Sequence, residues 1–187
     1  MSRGQNRVRI IGGQWRRQHL HFPEIPGLRP TPDRVRETLF NWLGQTLTGM
    51  HCLDLFAGSG ALGFEAASRG AARVVLVEQS STVREALMEN KHRLQASSVE
   101  VLRGNALEFA ALGGPEPCFD VLFLDPPYRQ GFLEKLLCLI PRLLKPEGLM
   151  YVEAETYLEQ LGDWQTVRDG KAGQVYYHLM RQLPPEA

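Results

Sequence analysis

Asp54-Leu55-Phe56-Ala57-Gly58-Ser59-Gly60-Ala61-Leu62-Gly63 is the stretch that decides the fold. An apolar run, Cys52 to Phe56, leads into it, and a helical pattern, Ala61 to Arg69, leads out, so the glycines sit where a strand turns into a helix. Gly58, Gly60 and Gly63 match G-x-G-x-x-G, and the acidic Glu78 ends the next apolar run, Arg73 to Glu78. Glycines there let the backbone turn tightly and approach a ligand, and a carboxylate ending the second strand can accept hydrogen bonds from ribose hydroxyls.

Outward from that turn, short apolar runs alternate with helical stretches, which predicts a parallel sheet covered on both faces by helices. Further strands are expected at Val99 to Arg103, Phe119 to Asp125 and Leu149 to Glu153, and helices at Thr82 to Gln95, Ala106 to Leu112 and Phe132 to Leu144. Trp164 to Arg168 and Gln174 to Arg181 flank Asp169, Gly170 and Gly173, which predicts an antiparallel hairpin closing one edge and makes the sheet mixed. Toward the N-terminus, Val8 to Phe22 reads as a β-hairpin turning at Gly12-Gly13 and carrying Trp15, Arg16 and Arg17. A proline-rich loop follows, then a helix with Val35, Leu39, Trp42, Leu43 and Leu47 on one face, Thr31 its expected cap. Residues 1–30 are thus a basic hairpin arm and residues 31–187 an α/β domain.

With 187 residues, 43% of them hydrophobic and 22% charged, the chain suits one well-buried core. It has no apolar run of bilayer length and no secretory leader pattern, so a cytoplasmic protein is expected. Cys52, Cys118 and Cys138 lie far apart in apolar segments, predicting buried free thiols rather than disulfides or a zinc cluster. The formal net charge of zero conceals an asymmetry: residues 1–36 hold eight Arg (Arg3, Arg7, Arg9, Arg16, Arg17, Arg29, Arg34, Arg36) against Glu24 and Asp33. A basic arm on an acidic body is the footprint expected of a polyanion binder.

Asp54 discriminates between nucleotide ligands, because a carboxylate at the mouth of the glycine loop repels a pyrophosphate but attracts the ammonium of S-adenosylmethionine. The residues read as cofactor-binding are Asp54, Phe56, Ala57, Gly58, Ser59, Gly60, Glu78, Gln79, Asn105 and Ala106, the last pair following the third strand beneath the adenine. The second motif, Asp125-Pro126-Pro127-Tyr128, ends the fourth strand and therefore falls on the same rim as the glycine loop. Two prolines remove two backbone donors and leave acceptors, which suits an exocyclic amino group, a hydrogen-bond donor. Asp125 and the Pro126 carbonyl would accept its hydrogens and aim the nitrogen's electron density at an activated methyl, and Tyr128 offers a face for the extruded base. The sulfonium is already an activated leaving group, so no metal is expected.

Together these residues resemble the class I S-adenosylmethionine-dependent methyltransferases. More narrowly, Arg9-Ile10-Ile11-Gly12-Gly13-Gln14-Trp15-Arg16, Arg29-Pro30-Thr31-Pro32-Asp33-Arg34-Val35-Arg36-Glu37-Thr38-Leu39-Phe40-Asn41-Trp42-Leu43 and Ala172-Gly173-Gln174-Val175 resemble the RsmD-like 16S rRNA guanine-N2 methyltransferases over nearly the whole chain. The resemblance implies a Rossmann-like fold with seven strands ordered 3-2-1-4-5-7-6 and an N-terminal hairpin over the active-site side. It also implies methylation of one guanine in 16S rRNA of the assembled or assembling small subunit. Asn105 stands where many class I members carry Asp. Arg9, Trp15, Arg16, Arg17, Arg29, Arg34 and Arg36 are the expected RNA contacts, with Trp15 either a stacking platform or a buried hairpin anchor. The chain is expected to be a monomer. Two other readings remain open at this point: a DNA adenine-N6 methyltransferase, since D-P-P-Y serves that chemistry too, and a catalytically silent RNA-binding ribosome assembly factor.

Overall fold

The runs Arg73–Glu78 and Phe119–Leu124 are buried on both faces, as central strands of a helix-covered parallel sheet must be. A computed structural model describes residues 5–114 and 116–183; Arg3, counted in the basic arm, lies outside them. The elements in order are β1 (Gln5–Arg9), β2 (His19–Pro23), α1 (Asp33–Leu43), β3 (His51–Asp54), α2 (Ala61–Ser68), β4 (Arg73–Glu78), α3 (Ser81–Leu94) and β5 (Val99–Arg103). There follow α4 (Ala106–Leu112), β6 (Phe119–Leu124), α5 (Phe132–Leu136), a 3-10 turn (Ile140–Arg142), β7 (Leu144–Ala154), β8 (Gln160–Leu161), β9 (Trp164–Ala172) and β10 (Val175–Gln182).

The main sheet runs β5-β4-β3-β6-β7-β10-β9-β8. β5 through β7 are parallel, and β10 enters antiparallel between β7 and β9. This is the expected mixed, Rossmann-like order with one short strand, β8, added at the edge. One face of the sheet carries α1, α2, α3 and the N-terminal hairpin over Cys52, Val74, Leu76, Val121, Phe123, Tyr151 and Tyr177. The other face packs α4, α5 and the 3-10 turn against Leu53, Val75, Leu122, Leu124 and Val152. No helix among the described residues is long and apolar enough to cross a membrane.

Several boundaries differ from the sequence expectation, each for an identifiable reason. The helix expected over Phe132 to Leu144 stops at Leu136, and Pro141 sits in a 3-10 turn instead, because proline supplies no backbone donor to continue an α-helix. The last hairpin turns tightly at Gly173-Gln174, while Asp169 and Gly170 stay in β9, Gly170 because the Tyr177 ring lies where its side chain would be. The first hairpin does not turn at Gly12-Gly13: Arg9 pairs with His19, so Ile10 to Gln18 form a long loop that holds Trp15, Arg16 and Arg17 off the strands. Thr31 does not cap α1; Pro32 is the cap residue, and the Thr31 hydroxyl goes elsewhere. Of the thiols expected to be buried, Cys52 is, Cys118 is half-buried, and Cys138 is exposed on the segment that Pro141 keeps from being helix.

The hairpin is bolted to the body rather than hanging from it. Val8, Ile10, Trp15, Leu20 and Phe22 join the same apolar cluster as α1 to α3. The buried Asn90 of α3 pairs with the β2 backbone like a strand neighbour, its amide donating to His21 O at 2.7 Å and its oxygen accepting from His21 N at 3.0 Å. Glu65 of α2, fully buried, accepts from Ile11 N and Gly12 N at 2.8 Å each, from Arg69 Nε at 2.9 Å and from Arg36 Nη1 at 3.2 Å. That single carboxylate ties the hairpin loop, α1 and α2 together, with every donor charged or rigid.

Candidate active site

The site begins with strand register. Asp54, the last residue of β3, lies opposite Phe123 of the neighbouring β6, and Leu124 of β6 lies opposite Val152 of β7. Asp125 and Glu153 therefore follow at equivalent places on adjacent parallel strands, whose axes run about 4.8 Å apart. Alternation puts Asp54, Asp125 and Glu153 on the face that carries Cys52, Phe123 and Tyr151, beneath α1 and α2. The three acids thus share one ledge at the carboxyl ends of the central strands, the place where open α/β sheets bind ligands.

The glycine turn closes over that ledge. Gly60, the residue before α2, has φ +78°, in the left-handed region that favours glycine. Gly63 serves packing: a side chain there would meet Leu76 Cδ2 at 2.2 Å, so its absence lets α2 settle on the sheet. Glu78 at the end of β4 accepts from Gly58 N at 3.1 Å and from Ser80 N at 2.8 Å, fixing the loop while leaving its remaining lone pairs free. Ala57 is buried and donates to Val77 O at 3.1 Å, Ser59 is buried within the turn, and Phe56 packs edge-on against Phe132 at 5.2 Å. Asn105 caps α4, its oxygen accepting from Leu107 N at 2.8 Å while its amide N–H groups stay available to a ligand; Ala106 beside it is buried and Gln79 is exposed.

Electrostatically the ledge is starved of positive charge. Among the described residues no Lys or Arg pairs with Asp54, Asp125 or Glu153. Burial pushes the Asp54 carboxyl up to about 7 against one opposing hydrogen bond from Phe56 N, with Glu78 and Glu153 adding like-charge repulsion. Burial, then the charges of Glu153 and Asp54, raise Asp125 well above the usual carboxylate range. Burial likewise raises Glu153, opposed by hydrogen bonds from Tyr151 and Thr31. Such a site gains when a cation enters it. Tyr128 is 42% exposed at its mouth, its ring open to a stacking partner and its hydroxyl held protonated by burial and the neighbouring acids.

The expected RNA contacts separate into three groups. Leu28 Cδ1 lies 3.2 Å from where a Gly58 side chain would begin, so the linker after the hairpin crosses the glycine turn, and the exposed Arg29 lies beside it. Arg34 is exposed on the first turn of α1, whose preceding Thr31 hydrogen-bonds Glu153 at 3.1 Å. Arg16 and Arg17 are exposed but distant: Gln14 N and Trp15 N bond to Ser68 O and Oγ, and Ser68 is the last residue of α2, the end away from the glycine turn. The hairpin loop therefore does not cover the active-site side, as the resemblance implied; the linker does. Trp15, only 8% exposed, is the hairpin anchor and not a stacking platform. Arg36, expected to contact RNA, is fully buried, donating to Glu65, Asp33, Thr31 O and Arg9 O; its register on the inner face of α1 overrides its charge. Arg9 is exposed and shares Asp33 with it.

Sequence reading did not single out Glu153, Tyr151 or Glu65. Glu153 carried a signal, since an acid closing an apolar strand next to the D-P-P-Y strand lands on the ligand rim. Glu65 carried none, because its partners lie 29 to 54 positions away along the chain or one turn along its own helix.

A family model described as conserved hypothetical protein 95 matches residues 8–181. Ribosomal RNA small subunit methyltransferase D of Escherichia coli strain K12 is 45% identical over 184 residues, covering 96% of this chain and 92% of that protein. The protein of the same name from Haemophilus influenzae is 43% identical over 178 residues, 92% of each chain. The solved structure of yhhF from Escherichia coli superposes with a TM-score of 0.83 at 44% identity, covering 95% of this chain and 99% of that one. The chain accordingly belongs to the conserved hypothetical protein 95 family, in the company of the ribosomal RNA small subunit methyltransferase D proteins.

Proposed function

We propose that the chain transfers a methyl group from S-adenosylmethionine to the exocyclic N2 of one guanine in 16S rRNA of the small ribosomal subunit, acting as a cytoplasmic monomer. The observation that carries the chemistry is the shared ledge: Asp54 beside the glycine turn and Asp125 before Pro126-Pro127-Tyr128, on adjacent strands. The names of the relatives at 43–45% identity support ribosomal RNA as the substrate.

The donor set fits S-adenosylmethionine. Asp54 and the other ledge acids suit its cationic groups, Glu78 suits ribose hydroxyls, and the Asn105 amide suits an acceptor nitrogen of adenine. When bound, that cofactor supplies a methyl group already activated by a sulfonium. The chain's own residues do the rest. Asp125 and the Pro126 carbonyl accept the two amino hydrogens, which fixes the nitrogen's orientation and draws its electron density out of the ring. Tyr128 stacks on the flipped base, an interaction worth about 1–3 kcal/mol. Arg29 and Arg34 beside the rim, and Arg16 and Arg17 farther along α2, neutralise phosphates on either side of the target.

Incubating the purified protein with methyl-labelled cofactor and, separately, naked 16S rRNA, undermethylated small subunits and DNA tests this reading. Label is expected in ribosomal RNA as N2-methylguanine. Label confined to adenine in DNA would replace the reading with its adenine-N6 alternative. RNA binding without label under any condition would favour a silent assembly factor.

A further inference from the structure

We propose that Glu153 and Asp125 form a carboxylate pair that shares one proton, and that this pair takes up the proton the methylated amine must lose. The inference rests on the methyltransferase reading above and deepens it by assigning a role to Glu153.

Register makes the two side chains neighbours on β7 and β6, facing the same way. Glu153 is 6% exposed, and both its donors, Tyr151 Oη at 2.8 Å and Thr31 Oγ1 at 3.1 Å, bond to Oε1. Among the described residues, Oε2 of Glu153 and both oxygens of Asp125 accept no hydrogen bond. Asp54 faces the pair from β3, Tyr151 from β7 itself, Thr31 from the segment before α1, and Tyr128 and Glu155 from the loops at the mouth. None of these is a cation, and Arg129 is spent on Glu155 at 3.4 Å in a pair open to solvent. Two acids this close, Glu153 buried and Asp125 half-buried, with donors on only one of four oxygens, cannot both ionise cheaply. One proton held between them removes the repulsion and gives the bare oxygens a hydrogen bond.

In the resting protein the pair carries that proton. Beside a cationic methyl donor it gives the proton up to water, because positive charge favours the ionised carboxylates. The amine's lone pair then becomes the new nitrogen–carbon bond, and the electrons of the broken carbon–sulfur bond stay on sulfur. Positive charge has moved to the nitrogen, which sheds a proton to Asp125 and recovers its lone pair. Glu153 shares that proton, and the pair returns to its resting charge.

The test measures proton release on ligand binding by calorimetry in buffers of different ionisation enthalpy near pH 7. S-adenosylmethionine is compared with S-adenosylhomocysteine, which keeps the ammonium and lacks the sulfonium. Wild type is expected to release about one more proton with the first ligand than with the second. In Glu153→Gln, whose amide oxygen still accepts from Tyr151 and Thr31, that difference should vanish, and kcat should fall roughly ten- to a hundredfold with RNA affinity within about twofold. Tyr151→Phe, which keeps the pair but removes one donor, should retain the difference and shift the acid limb of the kcat profile to higher pH. An unchanged proton count and pH profile in Glu153→Gln would overturn the pair and leave Glu153 a purely structural group. A wild type that binds cofactor and methylates no RNA would instead overturn the underlying reading, even with the proton count intact.

Discussion

Two acidic sites lie on the same side of the sheet, Glu65 fully buried in one and Asp125 half-buried in the other, and they are built in opposite ways. Glu65 receives four hydrogen bonds, two of them from guanidinium groups, and it joins three elements. Asp54, Asp125 and Glu153 receive three among them and no cation. The first arrangement satisfies a charge, so it holds architecture. The second leaves acids without cationic partners at the mouth of a glycine turn, which costs stability unless a cation enters. The contrast also explains why arginine in this chain is not one kind of residue: Arg36 is a structural donor, whereas Arg16, Arg17, Arg29 and Arg34 remain in solvent.

The largest expected effect comes from the unsatisfied side. Asp125→Ala should lower kcat about a thousandfold or more in labelled-methyl turnover while leaving the melting temperature level or higher, since it removes a half-buried acid with no cationic partner. Turnover equal to wild type would break the comparison at once.

How far the sequence alone foretold this contrast depends on whether the causes were local. The glycine turn, the order of the parallel strands and the D-P-P-Y corner were legible because each is a short pattern whose geometry is fixed by neighbouring residues. Asp54 and Asp125 could be placed on one rim because parallel strands end on one side. Arg36 and Glu65 could not be paired, since they lie 29 positions apart and nothing between them marks their meeting. Trp15 and the long hairpin loop were misplaced for the same reason: the contact that sets them, Ser68 at the end of α2, is 53 positions away. The helix after Phe132 ends short of its expected length because Pro141 supplies no backbone donor, which the apolar periodicity of the segment does not reveal.

Next in size is the satisfied side. Glu65→Ala strands Arg36 and Arg69 without their carboxylate and frees two loop amides, so unfolding in denaturant should show a loss of about 3–5 kcal/mol. A loss under about 1 kcal/mol would mean the node is replaceable by water.

Asp54→Asn sharpens the comparison through pH. The folded form binds the Asp54 proton more tightly than the unfolded chain does, so the wild-type carboxyl costs nothing below pH 4, and the cost grows until pH passes about 7. Ligand-free Asp54→Asn should therefore be more stable than wild type by roughly 2–4 kcal/mol at pH 8 and indistinguishable at pH 4. In the wild type, affinity for S-adenosylmethionine should weaken as pH falls below about 7, because the proton competes with the ligand's positive charge. Parallel stability curves for the two proteins would show that Asp54 is not strained.

The smallest effect belongs to the solvated arginines. Arg16→Ala with Arg17→Ala should weaken RNA binding several-fold, lower the salt dependence by about one to two units, and leave cofactor affinity within about twofold. Equal losses of RNA and cofactor affinity would reassign both residues to the fold.

The most direct test of the central claim is mass spectrometry of small-subunit RNA from cells lacking the gene. One N2-methylguanine should be missing, restored by the wild-type chain and not by Asp125→Ala. A modification profile identical with and without the gene would contradict the account.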